Sequence, residues 1–186
     1  MVMTDPRWWW NIPEFVAAQE DPDFRAWVQS VELGIELHAS TPSDWFPGIP
    51  EDDWFSDEAI TFVESALLER YEDTAALQAD FDGQVPFIKY HGLLYVEKLE
   101  GKWVSIPEVP DRWPLPGWGV ELPWRYNGIY DVMPALRVAV RRRKGDQWLF
   151  TFNNNRESYL NWKNNGIVID MYSNDVPLAE MIQGSD

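Results

Sequence analysis

Residues 50–58 read PEDDWFSDE, five carboxylates set around one tryptophan and one phenylalanine. Asp44, Trp45 and Phe46 stand just upstream and repeat the mixture. Aromatic side chains normally leave water and carboxylates normally stay in it. Three chemistries use the combination. Two carboxylates facing one glycosidic bond in an aromatic cleft hydrolyse it. Clustered acids bind calcium, but Asp44, Asp52 and Asp53 lack the DxDxDG loop and its distal glutamate. An aromatic anchor ringed by carboxylates holds a basic protein, the charges steering and discriminating while the rings bind.

Other chemistry is sparse. The chain has no cysteine, which excludes disulfides, thiolate zinc sites and a cysteine nucleophile. His38 and His91 lie 53 residues apart, each without a second histidine or carboxylate at metal-ligand spacing. There is no GxSxG elbow, HExxH, Walker loop or GxGxxG, and GWG at 117–119 is too short for a phosphate loop. The basic run Arg141, Arg142, Arg143 and Lys144 suits an anion, yet a charged loop tip or pairing within the chain accounts for it equally. No cofactor or metal is expected.

Charge is divided along the chain. Residues 1–82 carry 19 acidic residues against Arg7, Arg25 and Arg70; residues 83–186 carry 12 of each sign. The whole formal charge of −16 therefore falls on the first part. A field confined in this way steers a cationic partner and argues against direct nucleic-acid binding, which needs clustered Lys and Arg.

The 186 residues suit one domain, 1–186, with an acidic helix-rich part and a charge-balanced strand-rich part. Residues 21–34 predict a helix, with Asp21 as cap, Pro22 in the first turn and an apolar stripe of Phe24, Trp27, Val28 and Val31. A short strand is expected at 35–39. Residues 40–55, with three prolines and a glycine, read as an irregular loop of a length that often carries function. A long helix over 56–81 starts at Ser56 and buries Ile60, Val63, Leu67 and Tyr71, leaving Glu64, Glu69, Glu72 and Asp73 exposed. Strands follow at 85–91, 93–99 and 102–106. A wrapped loop with five prolines spans 107–123, a hairpin spans 134–153 and a last strand 167–172. A short helix closes the chain. The tryptophan arm at 8–10 is expected to pack on the body. The fold class is therefore α+β: N-terminal helices on a C-terminal antiparallel β-sheet, with long Pro/Trp-rich loops.

Small, acidic, α+β and without enzymatic motifs, the chain resembles bacterial toxin-immunity proteins as a class. The segment PEDDWFSDEAITFVESALLERYED, residues 50–73, comes nearest to carrying that resemblance, and no family motif does. The resemblance implies a non-enzymatic inhibitor that binds a basic toxin or nuclease-like enzyme and blocks its active site. The partner-binding residues would be Asp44, Trp45, Phe46, Glu51, Asp52, Asp53, Trp54, Asp57 and Glu58. The alternatives are a carbohydrate-binding module or glycosidase using Trp and carboxylates, and an acidic DNA mimic. No signal peptide and no apolar run of about 20 residues is read in the sequence, so a soluble cytoplasmic protein is expected.

Overall fold

A computed structural model describes residues 8–109, 116–124, 129–168 and 176–177. Among these the chain is α+β, with eight α-helices and a three-stranded antiparallel sheet. A 3₁₀ turn at Trp8–Asn11 leads into α1 (Pro13–Gln19). Helix α2 (Pro22–Glu36) starts as its sequence dictates: the Asp21 carboxylate accepts the N–H groups of Asp23 and Phe24, and Pro22 fills the first turn. Residues 35–39 complete that helix and its turn; they are not a strand.

The short α3 (Pro42–Trp45) is closed by a capping box between Thr41 and Asp44. The helix read over 56–81 divides into α4 (Asp57–Arg70) and α5 (Thr74–Ala79). Tyr71 turns extended, and the Asp73 carboxylate restarts the helix by accepting the Ala76 N–H. Asp80 then caps α6 (Phe81–Leu99) through the Gly83 N–H and also takes the Arg70 guanidinium and the Tyr71 hydroxyl. These contacts, Arg70 first, hold its carboxyl below the usual range.

Helix α6 corrects the strands read over 85–99. Ten of its 19 residues are buried, Phe87, Tyr90, Leu94 and Tyr95 among them. A helix enclosed on most sides shows no polar face, so its apolar run resembles that of a buried strand.

The sheet is central in the chain, not C-terminal: β1 (Lys102–Ile106), β2 (Gly117–Glu121) and β3 (Ile129–Asp131) lie in the order β1-β2-β3. Val104 faces Gly119, and Val120 faces Tyr130. The GWG stretch, read as part of the wrapped loop, is thus in the middle strand. Gly119 is required there, because a Cβ would lie 2.4 Å from a methyl of Ile129 and 2.9 Å from one of Ile106.

The residues read as a hairpin over 134–153 form helices α7 (Val132–Arg142) and α8 (Gln147–Asn165) around the turn at Gly145. Val132, Leu136, Ala139 and Val140 repeat at helical spacing and are buried. A two-residue ladder pairs β4 (Ile167–Val168) with β5 (Val176–Pro177), so the proposed terminal helix does not begin at 176. The rest of that helix, the remainder of the last strand, and Trp113 in the wrapped loop lie outside the described residues.

One core cluster runs from Val31 through α4, α6 and the sheet to Phe152 of α8. A smaller one seats the arm: Trp9 is buried with Phe15 and Val104, and the indole N–H groups of Trp9 and Trp10 both reach the Glu121 carboxylate, at 3.3 and 2.9 Å.

Candidate interaction site

The segment chosen from sequence is folded down onto the core. Phe46 is a core residue packed against Phe87 and Tyr90. Trp45 is half-buried, donates to Ser40 and lies under the Lys89 ammonium at 5.4 Å. Half-buried Trp54 donates to Ser43 at 2.9 Å and meets His38 edge to face. Asp44 is occupied by the Thr41 N–H and hydroxyl, which lower its pKa. Burial pushes Asp53 up, but the Lys98 ammonium at 2.8 Å and the Phe55 N–H outweigh it, and its pKa is lowered. Asp57 pairs with Arg156 at 3.4 Å. Glu51, Asp52 and Glu58 remain exposed, with no ion pair among the described residues.

The basic run is mostly a fixture of the fold. The Arg143 guanidinium donates to the carbonyls of Leu68, Tyr71 and Glu72, closing the C-terminus of α4. Arg142 donates to Gln147, while Arg141 and Lys144 are exposed. His38 is exposed in a left-handed turn, φ 50°. His91 lies on α6, fully buried, with Nε2 2.7 Å from the Tyr130 hydroxyl and, among the described residues, no partner for Nδ1. Burial brings its pKa down to about 3, so the ring is neutral. The tautomer with the proton on Nε2 donates to Tyr130 and leaves a bare lone pair at Nδ1, which costs less than a buried N–H without an acceptor. Among the described residues no three His, Cys, Asp or Glu are placed to hold a metal, and no helix is long and apolar enough to cross a membrane.

A different place combines rings and acids. A cavity of about 520 Å³ opens between the start of α2, the start of α6 and the sheet. Phe24 and Trp27 stand one helical turn apart on α2, stacked at 6.5 Å. Trp118 of β2 lies 5.5 Å from Trp27, and Phe81, the first residue of α6, lies 5.8 Å from Trp118. The four rings form a row in which neighbours are inclined by only 21–34°. Beneath, Trp103 meets Trp27 edge-on at 4.9 Å and 84°, which fixes the indole in place. Phe81 is 52% exposed, a large apolar surface left in water.

Asp21 and Asp23 line the same cavity. Arg25 is taken by Glu20 and the Gln19 carbonyl. Among the described residues, neither Asp21 nor Asp23 has a basic partner, and the Asp23 carboxylate accepts no hydrogen bond. Sequence reasoning placed Phe24 and Trp27 in a buried stripe and Trp118 in a loop. None of the partner-binding residues expected from the sequence lines this cavity, whose rings and acids come from three distant segments.

No protein-family model matches the chain, and neither a curated protein nor a solved structure matches it.

Proposed function

We propose that the protein is a non-enzymatic acidic binding protein that neutralises a basic toxin or nuclease-like enzyme by direct contact. The observation that carries this reading is the cavity in which four aromatic rings adjoin two carboxylates that have no basic partner among the described residues. The excess negative charge of residues 1–82 supports it, since such a field accelerates encounter with a cationic protein. Glu51, Asp52 and Glu58 add exposed charge that acts through on-rate and salt dependence. A row of ring faces beside carboxylates also suits a glycan, the second reading.

The test is affinity capture from the native host at low salt and at about 0.5 M salt, where exposed charges are screened. A stoichiometric basic protein, weakened by salt and inhibited on rebinding, is the expected result. Empty capture at both salts, with a positive glycan array, would replace the reading with the carbohydrate one.

A further inference from the structure

The cavity offers more than negative charge. Its aromatic wall is a run of planar rings, each inclined to the next by 21–34°, and the ring at one end of the run, Phe81, is 52% exposed. A spherical, strongly hydrated ammonium gains little from that geometry. A guanidinium is flat, weakly hydrated and stacks on aromatic faces while its edge presents parallel N–H donors to a carboxylate. Asp23 supplies such an acceptor with no competing donor among the described residues. Asp21 commits one oxygen, Oδ1, to the first turn of α2. The volume of about 520 Å³ falls within the range of pockets that enclose a small ligand, about 300–1,000 Å³.

We infer that this cavity is an arginine-recognition site, into which the basic partner inserts one guanidinium to extend the row of rings and pair with Asp23. The inference rests on the proposed binding of a basic partner and names the residue through which that partner is held.

The experiment uses the full chain and three synthetic peptides. Each is a Gly/Ser sequence with one central arginine, lysine or citrulline, titrated to millimolar concentration while the indole N–H resonances are followed by NMR. Trp27→Phe and Trp118→Phe assign the two relevant signals. The arginine peptide should shift both, the lysine peptide should bind roughly tenfold more weakly, and isosteric, neutral citrulline should not bind. Asp23→Asn, at a side chain that accepts no hydrogen bond among the described residues, should weaken arginine binding about fivefold or more. Trp118→Leu should do so too, its retained fold checked by the remaining amide resonances because Trp118 also packs on the core. Equal affinity for arginine and lysine would overturn the guanidinium assignment, as would equal affinity for citrulline. Shifts confined to residues around Glu51 and Asp52 would remove the cavity from the interface while leaving the captured basic partner intact. Failure of all three peptides, alongside a partner whose affinity ignores Asp23→Asn, would overturn the inference alone.

Discussion

The Glu64 carboxylate on α4 accepts the backbone N–H of Trp148, in the first turn of α8, at 2.7 Å, and that of Gln147 at 3.1 Å. An α-helix leaves its first N–H groups unpaired, and Asp146 at the capping position makes no side-chain capping bond, so Glu64, 83 residues before Gln147, does the capping. Burial raises the pKa of Glu64, and the two N–H groups oppose that rise. Arg143 returns the contact by closing the C-terminus of α4. Helix α4 and the α7–α8 turn thus satisfy each other's ends.

Glu64→Ala should lose about 2–6 kcal/mol, from two buried N–H groups left unpaired at about 1–3 kcal/mol each. Glu64→Gln keeps one acceptor oxygen and leaves one N–H unpaired, so it should lose about half of that. Urea midpoints at constant slope measure both; an Ala variant within about 0.5 kcal/mol of the native chain would show that water replaces the carboxylate.

Arg143→Ala should cost about 2 kcal/mol, the scale of charge-assisted hydrogen bonds to carbonyls. Arg143→Gly should recover part of this, because the residue sits at φ 49°, where a side chain is strained. A double-mutant cycle with Glu64→Gln should be non-additive by at least about 0.5 kcal/mol, since both contacts join the same pair of elements. Strict additivity would mean that the two ends act separately.

His91 makes stability depend on pH. Its pKa falls from the ordinary 6.5 to about 3 in the folded protein. A group shifted down in this way contributes stability that is full above pH 6.5 and is lost as pH falls toward 3. The loss is about 1.4 kcal/mol per pH unit for one proton taken up on unfolding. Urea titrations at pH 7.5, 6, 5 and 4 should show this slope in the native chain, and His91→Gln should flatten it. An unchanged slope in the variant would assign the acid sensitivity to the carboxylates, such as Asp80 and Glu100, whose pKa values are lowered.

Gly92→Ala should destabilise by about 1–3 kcal/mol, the range for overpacking. A Cβ at Gly92 would lie 1.8 Å from Trp103, a buried indole that also props Trp27. Near-ultraviolet circular dichroism should change with the stability. A variant of native stability and native spectrum would show that the Trp103 ring has room to move.

Within the aromatic and acidic segment, Phe46→Ala should cost about 3–5 kcal/mol as a core truncation, whereas Asp52→Asn should leave stability within about 0.5 kcal/mol. The reverse order would restore Phe46 as a surface anchor.

Local signals explain what was legible in the sequence. Asp21 with Pro22, and Ser56 with Asp57 and Glu58, mark helix starts that depend only on neighbours, and both helices begin there. The core stripe of Ile60, Val63 and Leu67 is equally local. Glu64 lies beside the apolar stripe and reads as exposed, yet it is buried; the helix end that makes its burial favourable is remote in sequence. Helix α7 differs from the expected strand for another reason. LRVAVR alternates like a strand, and the helical repeat of Val132, Leu136 and Ala139 was present but weaker to the eye. The site needed three-dimensional contact: Trp27, Phe81 and Trp118 become neighbours only when α2, α6 and β2 assemble.

The Gln19 side chain stands beside β1 where a further strand would pair. Its amide accepts the Ser105 N–H at 2.9 Å and donates to the Ser105 carbonyl at 2.7 Å, as the peptide group of a neighbouring strand would. Strand β1 is an outer strand of the sheet, and unpaired outer strands invite another chain to add on. One glutamine on α1 occupies that docking position, so β1 offers no template at Ser105 for growth into an aggregate.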